Sequence, residues 1–234
     1  QRTGLQPSLG FSIKSQLGSP STLLNAGETT NFIFKIENNS LSKNDIEYIN
    51  SLFIKRGKKL LRDIKGRTKA IYNKGAKLSF VNPQKQIFNN NLILIDSLLP
   101  QILASVLLQF ASSNSSSLED LVKITETENP LNFDNTNKHL FYSYKIKRFL
   151  TDIALGMMPS KVWTGEYDAT GGYLIVKADG DILCYHIYNK HEFENYLLFN
   201  TKLETASSSK HKFGEIYEEN GELYFKLNLQ IRFK

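Results

Sequence analysis

Apolar and polar positions alternate near both ends of the chain, whereas in the middle the apolar positions recur at helical spacing. Residues 9–15 (LGFSIKS) and 31–37 (NFIFKIE) are short runs rich in β-branched and aromatic side chains. They predict two strands, placed as neighbours in a mixed sheet. Gly18, Pro20 and Gly27 lie among serines and threonines between these runs, which predicts a structured loop with one helical turn at 22–25. After Ser42, the positions Ile46, Ile49, Leu52, Phe53, Leu60 and Leu61 fall near a 3.6-residue period with lysines opposite, predicting a basic helix; residues 69–81 then look extended.

Asn82-Pro83 marks a helix start, and 84–110 is apolar nearly all round, predicting one central, buried helix closed by SSNSSS at 112–117. Ser117 caps a short helix over 118–125, and the Asn- and Pro-containing stretch 128–137 is a loop. An amphipathic helix follows at 139–157 through Phe141, Tyr144, Phe149, Ile153 and Leu155. Past Trp163 alternation returns. Residues 173–177 and 182–188 flank Asp179-Gly180, a hairpin signal because Asp-Gly supplies the positive φ a tight turn needs. A short helix at 191–198, a polar loop at 199–214 and a second hairpin within 215–233 around Asn220-Gly221 complete the chain. The predicted class is α+β: a sheet-bearing portion at 1–80, a helical middle region at 81–160, and C-terminal β-hairpins at 161–234, in one compact domain.

Length and composition narrow the function classes. With 234 residues and 41% hydrophobic side chains the chain builds its own core without staples. Cys184 is the single cysteine, which excludes a disulfide framework and a cysteine-based zinc site. His139, His186, His191 and His211 lack metal-ligand spacing. The longest apolar stretch, 93–110, is broken by Asp96, Pro100 and Gln101 and falls short of the roughly 18 uninterrupted residues of a membrane span. With no signal peptide visible, the expected compartment is the reducing cytoplasm.

Charge changes the picture further. The net charge is +6, but residues 43–77 hold eleven basic side chains against Asp45, Glu47 and Asp63. The rest of the chain is therefore slightly acidic. Charge so confined is the footprint of a surface that follows a phosphate backbone, with Arg67 and Lys69 among its contacts; the alternative is a solvated lysine-rich face. The stretch 200–212 (NTKLETASSSKHK) places Thr201, Lys202, Ser208, Ser209, Lys210 and His211 together, a composition suited to phosphates and base edges. Gln16, Ser19, Thr22 and Asn25 offer a second polar group beside Lys14. A strand lysine such as Lys14 is also what metal-dependent phosphodiester cleavage places near a scissile phosphate.

Two longer segments make that chemistry specific. GFSIKSQLGSPSTLLNAGETTNFIFKI at 10–36 resembles the catalytic-strand segment of the HpaII-type restriction endonucleases, and DGDILCYHIYNKHEFENYLLFNTKLETASSSKHKFGEIYEENGELYFKLNLQIRF at 179–233 resembles that family's C-terminal portion. The resemblance implies a PD-(D/E)xK-like nuclease core in which Lys14 is the catalytic lysine. Ser12 stands where that pattern has an acid, and Glu28 is the replacement carboxylate and metal ligand. Residues 1–13 contain no acid, so the first catalytic Asp is expected before Gln1, the 234-residue chain being a fragment that binds duplex DNA without cutting it alone. The implied activity is Mg2+-dependent type II cleavage of double-stranded DNA at a short palindrome, CCGG, by a homodimer whose functional partner is a cognate methyltransferase. The competing reading is a non-catalytic basic nucleic-acid-binding module.

Overall fold

The computed structural model describes residues 10–15, 17, 21–37, 41–57, 59–169, 171–177, 179–186 and 189–234. In chain order its strands are β1 (Phe11–Ser15), β2 (Thr22–Leu24), β3 (Asn31–Glu37), β4 (Phe53–Arg56), β5 (Lys59–Arg62), β6 (Lys77–Pro83), β7 (Gly172–Val176), β8 (Ile182–His186), β9 (Thr201–Leu203), β10 (Ile216–Glu219), β11 (Glu222–Asn228) and β12 (Ile231–Phe233). The helices are α1 (Lys43–Asn50), α2 (Ile64–Asn73), α3 (Gln86–Ile95), α4 (Leu99–Ser112), α5 (Leu118–Glu128), α6 (Phe141–Leu155), α7 (Lys190–Phe199) and the single turn α8 (Ser208–His211). The fold is α+β with a mixed sheet.

Among the described residues the strands form the sheets β1-β7-β8, β10-β11-β3-β6 and β2-β12-β9, and the lone hairpin β4-β5. The first is mixed: β1 runs parallel to β7, and β7 antiparallel to β8. The expected neighbourhood of β1 and β3 does not occur, and the two C-terminal hairpins sit in different sheets. The reason lies in β3. Its Phe32, Phe34 and Ile36 are buried, with Phe80 and Phe88 packed against the phenylalanines at ring distances near 6 Å. Both edges of β3 are taken, by β11 and β6. β1 pairs instead with β7, whose Tyr173 and Ile175 turn inward.

Several predicted elements are corrected by the structure. The basic helix starts at the capping box closed by Ser42 and Asp45 but ends at Asn50, because the chain beyond is taken into the β4-β5 hairpin, reversing at Gly57, φ +62°. Of the stretch 69–81 expected to be extended, 77–81 is strand, in β6, but 69–73 belongs to α2, which Asp63 caps by accepting from the Gly66 N–H. Residues 22–24 are strand β2, not a helical turn, because β12 offers them an edge. The long apolar helix is two helices, α3 and α4, meeting at 107°. Asp96 breaks it with extended backbone, its carboxylate accepting from the Leu98 N–H and pairing with Lys145, and Pro100 suits the first turn of α4. Among the described residues no single helix is long and apolar enough to cross a membrane. α4 occupies the interior as expected, whereas α3 buries only Phe88, Asn91 and Leu92. The predicted polar loop 199–214 holds β9 and α8. In the β10-β11 hairpin, Asn220 and Gly221 both have positive φ, the type I′ geometry that suits the twist of paired strands.

Candidate active site

β1 exposes its two faces unequally. Phe11, Ile13 and Ser15 are exposed, while Ser12 and Lys14 are half-buried and line a cleft of about 550 Å3. The other walls are β2 with Asn25, Ala26 and Gly27, the hydroxyl-bearing Thr29 and Thr30, the C-terminal end of α6 with the turn from Gly156 to Ser160, and Asp168 with Ala169. Among the described residues no carboxylate lies within ion-pair distance of Lys14. Burial pushes its ammonium down from the usual lysine range, a cost an arriving anion relieves.

Glu28 does not line the cleft, although Gly27 and Thr29 on either side of it do. Its carboxylate pairs with Lys212 at 2.9 Å, and the hydrogen bond from that lysine holds it below the usual carboxylate range. The acid that does line the cleft is Asp168, which the sequence reading passed over. The signal available for it was modest: an acid, two residues after Glu166, at the foot of a strand ahead of Gly171-Gly172. Cleft donors such as the Asp168 carboxylate and the hydroxyls of Ser12, Thr29 and Ser160 are oxygens, the kind of ligand Mg2+ takes in place of zinc's thiolates and imidazoles. Among the described residues no three His, Cys, Asp or Glu side chains converge. Among the described residues the cleft offers a cation one carboxylate, to be completed by phosphate and water, which fits Mg2+, an ion that keeps several waters.

The DNA-contact candidates divide. Asn25 and Ala26 continue the cleft into a second groove of about 560 Å3 lined also by Lys210, His211, Glu204, Gln230 and Arg232. The groove's α8 segment is tied down from three sides: Arg62 donates to the Ser208 and Phe213 carbonyls, Asn31 donates to the His211 carbonyl, and Lys212 reaches Glu28. Burial, and then the neighbouring Lys210, hold the His211 imidazole below its usual range, so its ring is available as a neutral donor and acceptor. Ser209 is exposed beside them, Lys202 and Thr22 are half-buried on β9 and β2, and Lys69 is exposed on α2. Gln16 and Ser19 lie outside the described residues.

Three candidates are unavailable to DNA. Thr201 has no exposed surface and donates to the Leu197 carbonyl, and Ser208 is buried. Arg67 is fully buried, with its guanidinium donating to the carbonyls of Leu52, Gly214 and Asn50. A phosphate contact is ruled out by that position.

The chain matches known proteins along its length. The family model of the HpaII restriction endonuclease matches residues 1–233. The type II restriction enzyme HpaII of Haemophilus parainfluenzae is 53% identical over 232 residues, 99% of this chain, and the chain spans 62% of that relative's length. No solved structure matches it. With the family model matched from Gln1 to Phe233, and Lys14 set in a cleft on the segment that carried the resemblance, the chain belongs to the HpaII restriction endonuclease family.

Proposed function

We propose that this chain carries the catalytic cleft of a type II restriction endonuclease that hydrolyses double-stranded DNA at CCGG with Mg2+. The observation that carries the reading is Lys14: a half-buried ammonium without a counter-ion among the described residues, in a polar cleft that runs on into the Asn25, Lys210 and His211 groove. Such a cation binds a non-bridging oxygen of the scissile phosphate and offsets the charge that grows as phosphorus becomes five-coordinate, more strongly here than in open water. In the reaction a water oxygen bonds to phosphorus, the phosphorus–oxygen bond to one sugar breaks, and the departing oxygen takes a proton. Bound Mg2+ supplies Lewis acidity and a more acidic water. Ser12, on the same face of β1, orients the phosphate or its water. The exposed Lys69, Ser209 and Lys210 follow the phosphate backbone, and Asn25 and His211 lie where base edges pass. Ser12 with Lys14 on β1 of a mixed sheet supports a PD-(D/E)xK-like core. The reading extends to a two-fold dimer on a palindrome, a methyltransferase protecting the same site, and a cytoplasmic location.

Lys14→Ala, introduced into the enzyme as its gene encodes it, is expected to slow Mg2+-dependent cleavage of CCGG-bearing plasmid by about 10²–10³-fold. Duplex affinity should change far less, since one charge is a small share of a many-phosphate interface. Equal losses in cleavage and affinity, or unchanged cleavage, would favour the binding module.

A further inference from the structure

We propose that Asp168 supplies the carboxylate through which this cleft holds its divalent cation, taking the place of the acid that Ser12 lacks. The inference rests on the cleft being the nuclease site and names a ligand for it.

Topology brings Asp168 there. In a parallel pair the N-terminal ends of both strands lie side by side, and β1 and β7 are such a pair, tied at the foot by Gly171 N–H donating to the Gly10 carbonyl at 2.7 Å. The residues just before β7 therefore meet the residues at the start of β1, and Asp168 and Ser12 line one cleft.

The position is built rather than incidental. Asp168 and Ala169 both donate backbone N–H to the Leu155 carbonyl, at 3.1 and 3.3 Å. The preceding Tyr167 is anchored by its hydroxyl donating to Asp152 Oδ1 at 2.7 Å, inside α6. Two glycines make room: a Cβ at Gly10 would lie 2.7 Å from the Asp168 carbonyl oxygen, and one at Gly156, φ +141°, would lie 3.0 Å from Asp168 Oδ2. These contacts fix the backbone that carries a carboxylate which, among the described residues, has neither a hydrogen-bond donor nor a cation of its own. Glu28, the acid nearest in sequence to Lys14, pairs with Lys212 and does not line the cleft. A free carboxylate and a free ammonium along one cleft complement a phosphodiester bridged by a divalent cation, the carboxylate taking the metal and the lysine an anionic oxygen.

Mn2+ is the probe, with a short CCGG duplex present, and free Mn2+ is read by electron paramagnetic resonance on the 234-residue chain. The wild-type protein–duplex complex is expected to bind Mn2+. Asp168→Asn should weaken that binding by about tenfold or more, Glu28→Gln by less than about twofold. Because Asp168 is exposed, the asparagine variant should keep its circular-dichroism melt; if it does not, Asp168→Ser takes its place. Iron-directed backbone cutting, with Fe2+ and peroxide, should fall beside 168 and 12–14. Mn2+ binding that is absent, unchanged in Asp168→Asn, or lost in Glu28→Gln overturns the assignment. Duplex affinity measured in chelator separates the two levels: duplex held while Mn2+ ignores Asp168 sinks this ligand alone, whereas no duplex binding sinks the nuclease reading as well.

Discussion

A guanidinium with no exposed surface must find acceptors inside the protein, and Arg67 finds them in three backbone carbonyls. Those carbonyls belong to the end of α1 and the residue before β4, Asn50 and Leu52, and to Gly214 before β10. The side chain therefore stitches the β4-β5 arm to the C-terminal hairpin, with the Phe53 ring 5.1 Å from its charged carbon. Replacing it by an apolar chain of similar length removes the charge but leaves those carbonyls unpaired in the core. Arg67→Met is expected to destabilise the protein by about 3 kcal/mol, seen as a lower urea midpoint. A loss under about 1 kcal/mol would mean that the carbonyls find other donors or water. Glu28 makes the matching point for an acid: the resemblance implied a metal ligand there, and in the structure its carboxylate pairs with Lys212, far away in sequence.

The basic segment 43–77 is not one element but α1, a hairpin, α2 and the start of β6, and its cations divide by element. Arg62, Lys65 and Arg67 point inward or along the surface to backbone carbonyls, and Lys74 pairs with Asp45. Lys43, Lys55, Lys69 and Lys77 are exposed. Local net charge therefore overstates the proposed DNA footprint, because a cation spent on a carbonyl has no counterion to release to an arriving phosphate backbone. Lys69→Ala should leave the urea midpoint within about 0.5 kcal/mol and lower the slope of log affinity against log salt by about 1 in duplex titrations. An unchanged slope would place the DNA path away from α2.

For the molecule as a whole, one buried and two half-buried phenols set an alkaline limit. Burial, assisted by the bond to Asp152, pushes Tyr167 up to about 12; burial, with Glu219 nearby, does the same for Tyr217; and burial raises Tyr173 further still. An unfolded tyrosine ionises near pH 10, so above that value the unfolded chain binds fewer protons than the folded one. The stability these groups contribute is complete below pH 10 and is lost as pH rises through about 12. The urea midpoint should fall steadily over that interval, and tyrosinate absorbance should appear in a step that coincides with unfolding. Early, gradual ionisation of all the tyrosines in a folded protein would contradict the packing.

The sequence by itself determined what depends on neighbours a few residues apart. The Asp-Gly and Asn-Gly turns, the cap at Ser42, the strand that carries Lys14 and the buried apolar face of α4 are all set by φ preference, short-range hydrogen bonds and periodicity. These act whatever the rest of the chain does. Tertiary structure alone decided the remainder. Leu60 and Leu61 fit a helical period as well as a strand, and only the closure of β4 on β5 selects the strand. Residues 22–24 become extended because β12 presents an edge, and β1 takes β7 because β3 has none to spare. Asp168 reaches the Lys14 cleft through that same parallel pairing. Such choices turn on which edges are free and which layers are already filled, quantities that belong to the assembled sheets and to no local stretch of residues.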